Sequence, residues 1–341
     1  MSKFFMPLLA LGTLLGLASA QTTNALPAPP PISSTVQLGH GVNLGNFLEA
    51  PLEGEWSGNH LLKADDFSTI REAGFTLIRI PICWSAHVAP APDYTIDPAF
   101  LSRVDWIVAQ AKQNNLQAIL DYHNDAALMK DPDGNVDRFL ATWKQIAEHY
   151  KGEPSSILFE LLNEPSGKLD APRWNALLAR ALDTVRASNP DRSVVVGPVW
   201  WNSVDSLPKL VLPPTDIHLI VTVHFYDPMK FTHQGASWIN GSAAWLGTTW
   251  TGTDAEKQAV TQAFAKAAAW GRENHRPIYL GEFGSFSKGD MDSRARWTTF
   301  VTRTAEAHDF AWTYWEFCSG FGVYDPQTHQ WRQPLLDALL P

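Results

Sequence analysis

The stretch Ile157-Leu-Phe-Glu-Leu-Leu-Asn-Glu-Pro165 is an apolar run closed by a proline, and it ends on two polar residues, Asn163 and Glu164. Such a run reads as a strand enclosed on both faces, as in a parallel sheet covered by helices. A second stretch of the same design, Pro277-Ile-Tyr-Leu-Gly-Glu-Phe-Gly284, ends on Glu282. Two carboxylates at the C-terminal tips of two parallel strands are the minimum equipment for cleaving a glycosidic bond.

Working outward, further apolar stretches end near Asn43, Ile80, Tyr122, Gly197, His224 and Trp315, which with the two above makes eight candidate strands. Between them lie segments of helical periodicity: Ala99 to Asn114, Phe139 to Tyr150, Trp174 to Ala187, Ala255 to Asn274 and Ser293 to His308. Strand and helix alternating eight times over about 300 residues is the arithmetic of a single α/β domain, a (β/α)8 TIM barrel, whose active site lies at the strand C-termini. The barrel is assigned to residues 37–341. One unit is enlarged by an insertion, roughly Asp227 to Thr253, rich in Trp, Gly and Thr. A long loop at that end of a barrel belongs with the binding site.

Ahead of the barrel, Lys3 precedes an apolar run from Phe4 to Ala18, and Ala18-Ser-Ala20 followed by Gln21 has the small-x-small pattern of a cleavage site. Residues 1–20 therefore read as a secretory signal peptide and the chain as secreted, since the run is short of the roughly 20 apolar residues a membrane span needs. Residues 21–36, with Pro27, Pro29, Pro30 and Pro31, read as a semi-rigid tether. The chain has 341 residues, 45% hydrophobic, with a formal net charge of −9. An acidic balance argues against nucleic acid or an anionic membrane as partner, and a neutral polymer is easier to accommodate. Trp is used 15 times; packing should claim most of these, and a minority should offer flat faces to a sugar ring. Cys83 and Cys318 permit one disulfide without requiring it, and two small buried thiols are expected.

At the strand tips collect Asn43, Asn46, Arg79, His123, Asn163, Glu164, His224, Tyr226, Glu282 and Trp315. Each alone is explained as well by structural hydrogen bonding, but the set exceeds what packing requires. Arg79 beneath Glu282 would favour the ionised form of that carboxylate, whereas Glu164, with fewer cationic neighbours, would hold its proton to a higher pH. Two carboxylates so separated supply one acid and one nucleophile.

The pattern Asn163-Glu164-Pro165 on one strand and Glu282-Phe-Gly284 three units later resembles glycoside hydrolase family five, clan A, the family of many cellulases and mannanases. Gly41-Val-Asn-Leu-Gly-Asn-Phe-Leu-Glu-Ala-Pro51, Phe231-Thr-His-Gln-Gly-Ala236 and Ala311-Trp-Thr-Tyr-Trp-Glu-Phe-Cys-Ser-Gly-Phe-Gly-Val-Tyr-Asp325 are similar to a bacterial subfamily of endo-β-1,4-glucanases, several of which also cut β-mannan. The resemblance runs from about Gly39 to Leu340. It implies a retaining double displacement with Glu164 as acid/base and Glu282 as nucleophile, without cofactor or metal. It further implies that Asn163 bonds the sugar 2-hydroxyl and that Arg79 and Tyr226 orient the nucleophile. His123 and His224 would flank the catalytic subsite, with Trp315 as the platform beneath the reacting sugar. Asn46, Glu49, His233 and Trp238 fall on positions that contact glycan on the glycone side. One departure is visible: the family pattern has two consecutive histidines after the third strand, and here the pair is His123-Asn124, which bears on preference between glucan and mannan.

The expected partner is thus a β-glucan or β-mannan polysaccharide acted on by a monomer, soluble or amorphous rather than crystalline, since no carbohydrate-binding module is evident. Two other readings compete with this one. A metal-dependent hydrolase using Asp121, His123 and His224 lacks the usual ligand motifs, and a non-catalytic carbohydrate-binding barrel would be expected to have lost one of the two glutamates. Within the enzyme reading the alternative is a dedicated β-mannanase, a choice that one hydroxyl contact can decide.

Overall fold

The computed structural model describes Met1 and residues 36–341, so the signal peptide and all but the last residue of the tether lie outside the described residues. Eight parallel strands close into a barrel in sequence order: β1 His40–Asn43, β2 Leu77–Ile82, β3 Gln117–Tyr122, β4 Ile157–Glu160, β5 Val194–Val196, β6 Leu219–Phe225, β7 Ile278–Phe283 and β8 Ala311–Tyr314. The (β/α)8 expectation holds. No helix among the described residues is long and apolar enough to cross a membrane.

The helices begin where local chemistry satisfies their free amides. Asp97, Asp170 and Asp290 accept from backbone amides at the starts of Pro98–Gln113, Ala171–Arg186 and Met291–Glu306, and Thr253 with Glu256 forms a capping box ahead of Asp254–Glu273. Proline in the first turn explains why the helix expected from Phe139 in fact starts at Pro132, where a missing N–H costs nothing. The short helix Ala64–Glu72 escaped the periodicity because it buries only Asp66, Phe67 and Ile70. The unit between β5 and β6 departs from the pattern, carrying only Val199–Asn202 and a 3₁₀ turn, Val204–Lys209, in place of a full helix.

Alternation along the strands decides what fills the barrel. One layer is apolar: Leu77, Ile119, Leu158, Val195, Ile220 and Tyr279 pack together with Val36. Val36 therefore belongs to the barrel, not to the tether as expected, because it closes this layer. Two residues onward along the same strands stand Arg79, Asp121, Glu160, Gly197, Thr222 and Gly281. Apolar plugging thus gives way to a polar layer directly below the strand tips.

Strict alternation from Tyr279 would send Glu282 outward. The register between β6 and β7 shifts at Val223/His224, so that Val223 pairs with Leu280 but His224 pairs with Glu282. The extra residue is Gly281, and the bulge turns Glu282 into the cup beside His224. A Cβ on Gly281 would lie 2.4 Å from Thr222 Oγ1. Gly281→Ala is expected to cost about 2 kcal/mol of stability by overpacking and to lower turnover about 10²-fold by displacing Glu282. Thermal melts and steady-state kinetics check this, and unchanged turnover would mean the bulge does not aim the carboxylate.

Candidate active site

Arg79 is the hub of the polar layer. It is fully buried; Nε donates to Glu160 Oε2 at 2.7 Å, Nη1 to Glu282 Oε1 at 2.8 Å and to Asn43 Oδ1 at 3.0 Å, and Nη2 to Asn163 Oδ1 at 2.8 Å. Nη2 also stands 2.9 Å from Asp121 Oδ2. Arg79 therefore does not reach the open cup, as a substrate-contacting residue would. It acts through the groups it holds. Burial pushes the Asp121 carboxyl up to about 7 and raises that of Glu160, while Arg79 pulls both the other way.

Glu282 receives a second donor, the Tyr226 hydroxyl, at 2.9 Å on Oε2. Glu164 lies beyond the end of β4, four residues past Glu160, and holds φ at 49°, a left-handed conformation that costs a glutamate roughly 1 kcal/mol or more. Asn163 reaches the cup in the same loop, its amide donating to Tyr122 O at 2.9 Å. The strained turn aims Glu164 back over the barrel, where His224 Nδ1 stands 2.8 Å from its Oε1 and 3.6 Å from Glu282 Oε2. One oxygen of each glutamate and a ring nitrogen of His224 all lie within 4.8 Å of one another. Burial raises the Glu164 carboxyl above its ordinary range, opposed by His123 and Arg79. That is the direction required of a proton donor.

Both histidines are held by side chains. His123 Nδ1 stands 2.6 Å from Asp121 Oδ2 and its Nε2 3.3 Å from Asn163 Nδ2, and its ring stacks nearly parallel to Trp315 at 5.9 Å. His224 Nε2 stands 3.2 Å from Asn202 Nδ2. Burial lowers the pKa of His123, His224 and His233 to about 4 each. The grouping that a metal hydrolase would need, Asp121 with His123 and His224, is not what the fold gathers: His224 is placed with Glu164 and Glu282 instead.

These groups floor a cleft of about 1300 Å³. Asn46, Glu49, His123, Asn124, Asn163, Glu164, His224, Tyr226, His233, Trp238, Glu282 and Trp315 line it, so every expected site residue does except Arg79 and Asn43, which are buried in the layer beneath. Glu49 contributes little free carboxylate, being buried with its oxygens accepting from the amides of Asn46 and Phe47. Asn124 sits at φ 55°, a conformation asparagine tolerates well, and donates to Glu49 O at 3.1 Å. The insertion supplies His233 and Trp238, as expected of an enlarged loop. Sequence reasoning missed Trp56, Trp200, Trp201, Phe286 and Phe321 in the lining. The adjacent pair Trp200-Trp201 directly after a strand was a usable signal, because that position is a barrel-top loop. Cys83 and Cys318 are free thiols; Cys318 is buried, but Cys83 is only half-buried, since it begins the loop after β2.

Stability should track the buried acids. Burial pushes Glu49 up to about 8 and Glu316 up to about 7, as it does Asp121 to about 7. Where a folded carboxyl titrates above its unfolded value, the native state binds more protons, and stability falls as pH rises across that window. The three histidines, lowered to about 4, act oppositely only up to about pH 6.5, their unfolded value. Melting temperature is therefore expected to decline between about pH 6.5 and 8, and Glu49→Gln to remove the upper part of the decline. A rising or flat profile there would refute the assignment.

The model of the family Cellulase (glycosyl hydrolase family 5) matches residues 39–320. Endoglucanase H of Acetivibrio thermocellus is 34% identical over 319 residues, covering 92% of this chain and 34% of that protein. Cellulase/esterase CelE of the same organism is 31% identical, covering 84% and 36%. The chain thus spans about a third of the length of these two relatives. Among solved structures, Thermotoga maritima Cel5A in complex with mannotriose superposes with a TM-score of 0.88 at 42% identity, covering 91% of this chain and 100% of that one. Cellulose synthase subunit Z of Clostridioides difficile does so at 0.86 and 33% identity, covering 89% and 100%. With the barrel, the two glutamates at its strand ends and this match over most of its length, the chain belongs to the cellulase family of glycoside hydrolases, family 5.

Proposed function

We propose that the chain is a secreted endo-β-1,4-glucanase that hydrolyses internal bonds of soluble or amorphous glucans with retention of configuration. The observation that carries the reading is the pair of carboxylate oxygens of Glu164 and Glu282 within 4.8 Å of each other on the floor of an open cleft. A separation near 5 Å leaves no room for a water between carboxylate and sugar and suits direct attack, whereas inverting pairs stand roughly 6.5–9.5 Å apart. Glu282, oriented by Arg79 and Tyr226, attacks the anomeric carbon as Glu164 delivers its proton to the departing oxygen. Glu164, now ionised, takes a proton from the water that releases the glycosyl-enzyme. Asn163, held by Arg79 and facing the cleft, donates to the 2-hydroxyl, and Trp315 stacks beneath the reacting sugar. An open cleft of about 1300 Å³ suits internal cleavage, and the Phe4–Ala18 run with Ala18-Ser-Ala20 supports secretion.

The test is release of reducing ends from carboxymethylcellulose, mixed-linkage glucan, glucomannan and mannan without added metal, with the anomer of the first product read by NMR. The mannan arm is included because the 42% identical Cel5A structure holds mannotriose. Glucan cleavage giving the β-anomer first is expected. Release of the α-anomer first, or none from any glucan, would overturn the reading.

A further inference from the structure

The short segment after β5 is held in an unusual way. Trp200, Trp201 and Asn202 have φ of 61°, 58° and 54°, three consecutive non-glycine residues in the left-handed region. Each costs of the order of 1 kcal/mol or more, so the surroundings must hold the segment there. Trp200 and Trp201 are half exposed, whereas Asn202 is wholly buried and is the anchor. Its Nδ2 faces His224 Nε2 at 3.2 Å, and its Oδ1 is buried with no hydrogen-bond partner. That oxygen packs over Gly197, where a Cβ would come within 2.1 Å of it. An unpaired buried amide oxygen is costly, and the other end of the same amide meets the histidine that holds Glu164.

Two protonation patterns satisfy the three groups in line. In one, Asn202 donates to His224 Nε2, the ring's proton is on Nδ1 and donates to Glu164 Oε1, and the acid proton must sit on Glu164 Oε2. In the other, the amide is turned over, Nε2–H donates to Oδ1, Nδ1 accepts a proton carried on Glu164 Oε1, and Oε2 has none to give. The amide orientation in the structure, with Nδ2 facing the ring, matches the first. Glu164 Oε2 has no protein partner among the described residues, and the residue lines the cleft with about a quarter of its side chain exposed.

We propose that Asn202 is a positioning residue that holds His224 as an Nδ1–H donor and thereby places the acid proton of Glu164 on Oε2, the oxygen free to meet the glycosidic bond. This rests on Glu164 being the acid. When the proton leaves Oε2 for the departing oxygen, the Nδ1–H bond to Oε1 is already in place to stabilise the new carboxylate, and no group has to reorient. Burial keeps the ring neutral, lowering its pKa to about 4. The charged and titratable groups facing His224 and Glu164 are Glu282, Arg79, Glu160, His123, Asp121 and Tyr226, and all are unchanged in the variants below.

Nitrogen-15 spectra, with the His224 signals identified by their loss in His224→Gln, should place the ring's single proton on Nδ1 in the wild type. In Asn202→Asp a carboxylate opposite Nε2 should make the ring doubly protonated at neutral pH. The added positive charge beside Glu164 then lowers its pKa, moving the basic limb of the kcat/KM profile on β-glucan down by about one pH unit. Asn202→Gly accepts φ 54° without strain and guards against misfolding of the charged variant. It should slow glucan cleavage about tenfold, and cleavage of a dinitrophenyl cellobioside less than about threefold, because that leaving group needs little protonation. A wild-type ring protonated on Nε2, an Asn202→Asp basic limb superimposed on the wild type, or equal loss on both substrates in Asn202→Gly would overturn the proposal. Wild-type inactivity on every glycan would instead sink the assignment of Glu164, while the ring spectra would still report the hydrogen-bond line by themselves.

Discussion

Glu164→Gln is expected to lower turnover of β-glucan about 10³-fold, within the range that general acid catalysis supplies, while leaving formation of the glycosyl-enzyme from a dinitrophenyl cellobioside largely intact. A sugar alkoxide leaves only with a proton, whereas a dinitrophenolate leaves without one. Gln keeps the volume and can still accept from His224 Nδ1, now 2.8 Å from Glu164 Oε1, so binding should be preserved. Because the same residue takes the proton from water in the second step, the glycosyl-enzyme should accumulate on the activated substrate, visible as a burst. Glu282→Ala should instead abolish both reactions, since without the carboxylate held by Arg79 and Tyr226 there is nothing to attack the anomeric carbon. Burst and steady-state kinetics on the two substrates separate the roles. Equal losses on both in Glu164→Gln would count against its part as the acid.

Arg79→Leu is expected to destabilise the barrel by about 4 kcal/mol and lower its melting temperature by roughly 10 °C. The guanidinium is wholly buried and bonded to Glu160, Asp121 and Glu282, and removing it leaves buried carboxylates without their counter-charge. The deficit should depend on pH in a definite sense. Burial already raises Asp121 and Glu160, and Arg79 is what pulls them back. Without it their folded values rise further, the native state binds still more protons than the unfolded chain, and stability falls more steeply as pH rises. The variant should be closest to wild type near pH 4 to 5 and furthest from it above neutrality. Melts across that range decide; a deficit independent of pH would mean that Arg79 contributes packing rather than charge.

Much of the site was legible because strand tips in a parallel barrel share one face. Asn163-Glu164-Pro165 and Glu282 announced themselves as polar residues ending apolar runs, and Arg79, His123, His224, Tyr226 and Trp315 followed from the same position in their own units. What was not legible arose where the local pattern breaks. The β5 to β6 unit has no full helix, and its Trp200 and Trp201 entered the cleft through backbone conformations that no periodicity announces. Glu49 does line the cleft, but its tie to the amides of Asn46 and Phe47 is set by a turn that no periodicity announces.

The sequence by itself determined the alternation of eight strands with helices and the presence of two glutamates at the barrel's open end, because side-chain alternation and helical periodicity are local properties. Only the tertiary structure decided that the two carboxylates approach within 4.8 Å, that Glu282 faces inward and that Arg79 serves the layer beneath rather than the cleft. The distance across a barrel depends on how each strand is staggered against its neighbours. A one-residue bulge at Gly281 and a left-handed turn at Glu164 set which way the two side chains point, and both are held by hydrogen bonds and close packing between segments far apart in the chain.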